Sequence, residues 1–325
     1  MGIRLSQIRD ALTLTQALDF QDVPIGSITH DSRRAGPGSL FVALEGHKTD
    51  GHQFVAEAIR AGCAAVVTSR PLEIPKRVPQ LVVADTRPAF ALAAAALHGH
   101  PARRMTVVGI TGTNGKTTTA TLVRACLEAG GHPCMLLGTV SYEIGERVLP
   151  APMTTPDPPD LHAYFAEALA QGIVHAAMEV SSHSLDQRRV EGIPFAAGVF
   201  TNLTRDHLDY HKTRESYRDV KARLFEELAP SAIAVLNSED PIADVYRERT
   251  KARVIRYGLT GSPEVGAEVL ERSLQGTTVR LRLPGTSHEL RTRLIGRHNV
   301  SNLLAAAACA WGLGVAPEQV VRGLE

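Results

Sequence analysis

Residues 109–118 read Gly109-Ile110-Thr111-Gly112-Thr113-Asn114-Gly115-Lys116-Thr117-Thr118 and follow the apolar run Met105-Thr106-Val107-Val108. Read as a strand, a glycine-rich turn and a helix beginning at Lys116, the segment gathers backbone N–H groups and a helix N-terminus on one anion site. Such a turn can cradle phosphate. Lys116 is then expected against β- and γ-phosphates and the Thr117 hydroxyl as a ligand for Mg²⁺, with Gly112, Thr113, Asn114, Gly115 and Thr118 forming the cradle. The usual pattern has a further glycine five residues before the last one, where this chain has Ile110, so the loop is a variant of the phosphate-binding loop. An ordinary polar turn is the other reading of the same composition.

Further residues able to do chemistry fall at other strand ends, where ligands of an open parallel sheet gather. Glu179, in Met178-Glu179-Val180-Ser181-Ser182-His183, is a candidate Mg²⁺ ligand or, alternatively, a solvated rim carboxylate. After the apolar Val199-Phe200 comes Thr201-Asn202-Leu203-Thr204-Arg205-Asp206-His207-Leu208-Asp209-Tyr210-His211. Two histidines and two aspartates within six residues suit a metal or phosphate site, but also a polar turn with a helix cap. Read alone, Lys221 is an ordinary solvated helix lysine like Lys212, Arg218 and Arg223. Asn299 and Asn302, one helical turn apart before an apolar run, suit either a ligand or helix caps.

The elements that must position these residues alternate along the chain. Strands are expected near 40–44, 64–68 and 81–84, with helices over 52–61 and 88–98, as a small α/β unit ending at His98-Gly99-His100-Pro101. This predicts an N-terminal domain of residues 1–98 and a second of residues 99–325. In the second, strands near 105–110, 133–137, 174–180, 196–201, 232–236 and 253–257 alternate with helices over 116–129, 159–171 and 214–228. The fold class is therefore α/β, with a mostly parallel sheet of the P-loop ATPase kind, covered by helices. Residues 265–295 alternate at period two around Pro284-Gly285 as an antiparallel edge hairpin, and a helix over 299–312 follows. Pro150 to Pro159, with five prolines, reads as an extended loop.

A 325-residue chain with 44% apolar residues can fill a sizeable core. A formal net charge of +1 gives no electrostatic reason to expect nucleic acid or an anionic membrane. The apolar run Phe90 to Leu97 is far too short for membrane insertion. Cys63, Cys126, Cys134 and Cys309 form no C-x-x-C pair and read as buried thiols of a reducing compartment, so a cytoplasmic location is expected.

Taken together, Thr111-Gly112-Thr113-Asn114-Gly115-Lys116-Thr117-Thr118, Thr154-Thr155-Pro156-Asp157, Glu179-Val180-Ser181-Ser182-His183, the Asn202 to His211 segment and His298-Asn299-Val300-Ser301-Asn302 resemble the Mur ligases in order and type. Within that family the chain looks like the MurE branch, which adds the third peptide residue to UDP-MurNAc-L-Ala-D-Glu. Thr29-His30-Asp31-Ser32-Arg33 and Gly46-His47-Lys48-Thr49-Asp50-Gly51 look like its uridine-nucleotide segments.

The resemblance implies ATP, two Mg²⁺ ions and a carbamate on Lys221, the lysine fourteen residues after His207. It places metal on Thr117, Glu179, His207 and Lys221, with Lys116, His207 and Lys221 catalytic. Adenine falls near Asn299 and Asn302, and the UDP-muramyl dipeptide on Ser32, His47, Lys48, Thr49, Thr154, Thr155, Ser181, Gln187 and Arg189. The implied partners are UDP-MurNAc-L-Ala-D-Glu and a diamino acid, the implied assembly a monomer, and the reaction ATP-driven amide formation through an acyl phosphate. Family members carry a third, Rossmann-like domain after the central one, and the chain stops where it should begin, so binding without full turnover is expected. A non-catalytic nucleotide or UDP-sugar binding module, another Mur ligase and a folylpolyglutamate synthetase relative stay open as alternatives.

Overall fold

The computed structural model describes residues 2–16, 21–46, 49–204 and 213–325. They partition into two compact units. The first comprises Met1–Arg103, Asp157–Ala166 and Gln187–Gly192; the second comprises Arg104–Pro156, Glu167–Asp186 and Ile193–Glu325.

In the first unit β1 (Ile3–Arg4) pairs with β3 (Pro24–Ile25), and a five-stranded sheet is built from β2 (Leu14–Gln16), β4 (Ser27–Thr29), β5 (Ser39–Val42), β6 (Ala65–Thr68) and β7 (Gln80–Val83). Its order is β2-β7-β6-β5-β4, parallel except for β2. β5 and β6 read as unbroken apolar runs because both faces of the sheet are covered. Leu40, Val42, Val67 and Leu81 face one core with Phe90 and Ala93 of α3 (Thr86–Leu97), where α1 (Leu5–Arg9) also packs; Phe41 and Val66 face another with Val55 and Ala58 of α2 (Val55–Arg60). The helix expected over 52–61 is shorter than the sequence suggests: Gly51–Phe54 is a 3-10 turn, opened by the Asp50 carboxylate accepting from His52 N–H.

The second unit begins with β8 (Thr106–Thr111), α4 (Lys116–Ala129), β9 (Cys134–Leu137), β10 (Ser141–Ile144), β11 (Arg147–Pro150), α5 (Pro158–Ala170), β12 (His175–Glu179), α6 (Ser182–Asp186) and β13 (Phe195–Phe200). It continues with α7 (Arg214–Glu226), β14 (Ile233–Asn237), α8 (Ile242–Arg249), β15 (Arg253–Gly258), β16 (Val265–Ser273), β17 (Gly276–Leu283), β18 (Thr286–Thr292), α9 (Arg297–Gly312) and α10 (Pro317–Leu324). The first nine residues of α5 partition with the first unit.

One eleven-stranded sheet runs β11-β10-β9-β12-β8-β13-β14-β15-β16-β17-β18. Its centre, β9 to β15, is parallel, and both margins are antiparallel. The margin at β16–β18 is the expected antiparallel edge, enlarged to three strands. The opposite hairpin, β10–β11, falls partly in the stretch read as an extended proline loop. Pro150 ends β11, and Pro158-Pro159 open α5, where a missing N–H costs nothing, so only residues 151–157 form the loop.

Val108, Ile110, Val123, Leu127, Val235, Leu303 and Leu304 belong to one core that joins the sheet to α4 and α9. All four cysteines are free and buried, and burial pushes the thiols of Cys126 and Cys134 up to about 12. No helix among the described residues is long and apolar enough to cross a membrane.

Candidate functional site

Three neighbouring strands deliver the site. In register, Glu179 of β12 lies beside Ile110 and Phe200 of β13 beside Thr111, so the segments leaving β8, β12 and β13 emerge together at their carboxyl ends. Between β8 and α4 the chain turns through Gly112 and Gly115, with φ of +147° and +85°. Both glycines are required by space as well as by conformation. A Cβ on Gly112 would stand 1.9 Å from Thr201 Oγ1, and one on Gly115 2.3 Å from Asn302 Oδ1.

The segment after β13 straps this loop. Thr113 N–H donates to Asn202 O at 2.8 Å, and Asn114 N–H to Asn202 Oδ1 at 3.2 Å. Asn202 Nδ2 and Thr201 Oγ1 return bonds to Asn114 O at 3.0 and 2.7 Å. Behind the strap, Asn237 Nδ2 donates to Thr201 O and Leu203 N–H to Asp240 Oδ2, each at 2.7 Å. Asn237 and Asp240 were not visible as site residues in the sequence, since their partners lie more than thirty residues away.

Lys116 Nζ donates to Gly112 O at 3.0 Å and Thr113 O at 2.8 Å, folding back over the loop it follows. Lys221 reaches the same carbonyl from α7: its Nζ is 3.0 Å from Gly112 O and 3.4 Å from Thr111 Oγ1, and lies 4.6 Å from the Tyr217 ring centroid. Two ammonium groups thus share one carbonyl oxygen. Lys221 is only 1% exposed, which overturns its reading as a solvated helix lysine. On α7 it belongs to the inward stripe of Tyr217, Val220, Leu224 and Phe225, while Arg218 and Arg223 pair outside with Asp219 and Asp186.

Glu179 is likewise 1% exposed, so it is no rim residue. Its Oε1 accepts from Thr117 Oγ1 and from Thr139 N–H, each at 2.8 Å, and Thr139 Oγ1 lies 3.1 Å from Oε2. A carboxylate and a hydroxyl in contact are hard oxygen donors and fit Mg²⁺. Among the described residues no three His, Cys, Asp or Glu side chains converge as a metal site. His207 lies outside the described residues. Thr154, Thr155 and Ser181 gather behind Glu179. Thr155 Oγ1 donates to Glu179 O at 2.8 Å and accepts from Ser181 N–H at 3.2 Å, and Thr154 Oγ1 is 3.1 Å from Thr139 Oγ1.

Beside the loop opens a cleft of about 580 Å³ whose wall includes Asn114, Thr118, Asn202, His298, Asn299 and Asn302. The capping alternative for the two asparagines fails, because the helix starts at Arg297 with Gly296 as its N-cap. Asn299 Nδ2 instead donates to Ile295 O at 2.9 Å, and Asn302 Nδ2 to Asn299 Oδ1 at 3.3 Å.

The first unit holds a cleft of about 330 Å³, walled by Thr49, Phe54, Arg87, Phe90, Gln187 and Arg189 among others. Arg189 is oriented by Gln187 Oε1 at 2.7 Å and Asp157 at 3.3 Å. Ser32 is buried in the 3-10 turn Ser32–Arg34 and does not line this cleft. His47 and Lys48 lie outside the described residues. Their flanks are clipped by Asp50 Oδ1 on His52 Nδ1 at 2.5 Å, by Ser69 Oγ donating to Glu45 at 2.5 Å, and by Arg70 on Asp50 at 2.7 Å. The bond from the Arg70 guanidinium holds the Asp50 carboxyl far below the usual carboxylate range.

Residues 110–310 match the model of the Mur ligase middle domain, and residues 24–113 that of the Mur ligase family catalytic domain. The chain belongs to the Mur ligase family. The UDP-N-acetylmuramoyl-L-alanyl-D-glutamate--2,6-diaminopimelate ligase of Geobacter metallireducens is 42% identical over 329 residues, covering 99% of this Mur ligase chain and 64% of that protein. The ligase of the same name from Parabacteroides distasonis is 39% identical over 320 residues, 98% of this chain and 65% of its own. A solved UDP-N-acetylmuramoyl-L-alanyl-D-glutamate--2,6-diaminopimelate ligase superimposes with a TM-score of 0.86 at 28% identity, covering all of this chain and 66% of its own. MurF from Thermotoga maritima, solved in complex with ADP, shares the fold at a TM-score of 0.61 and 20% identity, over 91% of this chain and 65% of its own. This Mur ligase chain therefore spans less than two thirds of the length of these curated relatives.

Proposed function

We propose that the chain forms the nucleotide and acceptor sites of an ATP-dependent ligase that joins 2,6-diaminopimelate to UDP-MurNAc-L-Ala-D-Glu. The observation that carries this reading is the burial of Lys221 against the carbonyl of Gly112, in the loop that ends at Lys116. In this reading the Lys221 amine adds CO₂ and releases a proton to become an anionic carbamate, which nearby cations can hold. The diamino acid is proposed from the printed names of the relatives.

In this reading the N-terminus of α4 and Lys116 hold the β- and γ-phosphates of ATP, and Asn299 and Asn302 face the adenine side. Thr117 and Glu179 would hold one Mg²⁺, and His207 with the Lys221 carbamate a second; the ions would neutralise phosphate charge. Thr154, Thr155 and Ser181 orient the dipeptide, while Thr49, Gln187 and Arg189 bind the UDP-muramyl part. The D-Glu γ-carboxylate attacks the γ-phosphorus as ADP leaves, and Lys116 offsets the repulsion between the two anions. The diaminopimelate amine then attacks the acyl carbonyl, phosphate departs with the C–O bond electrons, and the amine loses its proton. Four buried thiols suit the reducing cytoplasm, where this chemistry is placed.

Calorimetric titration with UDP-MurNAc-L-Ala-D-Glu and a non-hydrolysable ATP analogue with Mg²⁺, beside a phosphate-release assay with 2,6-diaminopimelate, tests the reading. Both ligands should bind, and Lys116→Ala should lose only the nucleotide. Absence of acceptor binding sinks the reading; binding of both without phosphate release leaves a non-catalytic module.

A further inference from the structure

Thr139, just past β9, holds Glu179 twice, through its N–H to Oε1 and its hydroxyl to Oε2. The loop presses directly on the carboxylate, since a Cβ on the preceding Gly138 would stand 2.6 Å from Glu179 Oε1. The same Thr139 hydroxyl is 3.1 Å from Thr154 Oγ1. A hydroxyl carries one proton and an ionised carboxylate only accepts, so the Thr139 proton goes to Glu179 and Thr154 donates to Thr139. Thr117 completes the line from the other side, 2.8 Å from Oε1. One chain of hydrogen bonds thus runs from the segment before α5 to the first turn of α4.

We infer that Thr139 is a positioning residue that couples acceptor binding at Thr154 to divalent-cation binding at Glu179 and Thr117. The inference rests on the proposed assignment of these residues to acceptor and metal. Thr139 is exposed, so little besides these bonds fixes its rotamer. Acceptor bound at Thr154 orders Thr154, then Thr139, and leaves Glu179 less conformational freedom to lose when the cation arrives. The coupling is reciprocal, so each ligand tightens the other by the same factor, about fivefold for a typical coupling.

Mn²⁺ serves as the probe, its free concentration read by electron paramagnetic resonance with and without saturating UDP-MurNAc-L-Ala-D-Glu. The wild-type protein should bind Mn²⁺ about fivefold more tightly with the acceptor present. Thr139→Val should bring that factor to about one, Thr139→Ser should restore it, and the double variant with Thr154→Val should show no further loss. Thr154→Val is the second route to the same result. A wild-type factor of one, or a fivefold factor surviving in Thr139→Val, overturns the inference. Glu179→Gln separates the two levels. If it leaves Mn²⁺ binding intact, the metal assignment itself fails; if it abolishes binding while Thr139→Val keeps the coupling, only the role of Thr139 falls.

Discussion

The two clefts are built on different terms. In the second unit the site grows from adjacent strand ends, its groups are backbone amides, short hydroxyls, the half-buried Lys116 and the buried Lys221, and two glycines leave no room for a methyl group. In the first unit the cleft is walled by long or aromatic side chains such as Arg87, Arg189, Gln187 and Phe54, which loops and helix ends carry. The tight site is preorganised for charge that must be met at fixed points, whereas the looser one suits recognition of a large ligand by many separate bonds. Damage should therefore be steep in the second unit and graded in the first.

The steepest test is Lys116→Ala, expected to lower nucleotide-dependent turnover by about a thousandfold while acceptor affinity stays within about twofold. Calorimetry and phosphate release read the two sides, and parallel loss of both ligands would break the contrast between the clefts. Lys221→Ala should cost about a hundredfold in turnover, with partial rescue by added formate or acetate if a carbamate is the missing anion. Full activity without rescue would refute the carbamate.

A third test concerns the first unit's stability. Burial, aided by nearby His98 and His100, lowers the His162 imidazole to about 3, and neither ring nitrogen finds a hydrogen-bond partner among the described residues. The unfolded group titrates near the ordinary value of about 6.5. Stability is then complete above that pH and falls as pH drops toward 3, by about 2 kcal/mol between pH 6.5 and 5. Urea unfolding at pH 7 and 5 should show the loss, and His162→Leu should reduce it; an unchanged pH difference in the variant rules His162 out. The mildest change is Arg189→Ala, which should weaken acceptor binding about tenfold, the worth of one charge-assisted bond, and leave the nucleotide untouched. A thousandfold effect there would mean that the first cleft is as preorganised as the second.

Legibility in the sequence followed the same division. The phosphate loop could be read because its glycines, lysine and threonines are contiguous and act mainly through backbone conformation. Glu179 could be placed at a strand end, but its burial under Thr139 and Gly138 could not, because β9 and β12 become neighbours only when the sheet forms. The β10–β11 hairpin, over residues 141–150, was not among the expected strands, and only its last residue, Pro150, fell in the stretch read as a proline loop. Ser32, singled out by resemblance, is buried in a turn instead of lining the cleft.

By itself the sequence determined an alternating α/β order, a parallel apolar sheet and a local phosphate cradle, since periodicity, turn residues and glycine torsions are short-range properties. Tertiary structure decided that Lys221, alike in type to its solvated neighbours, turns inward to share a carbonyl with Lys116, and that Thr139 joins Thr154 to Glu179. Lys116 and Gly112 apart, those partners are separated by 15 to 109 positions along the chain, and only strand register and helix packing bring them within a hydrogen bond.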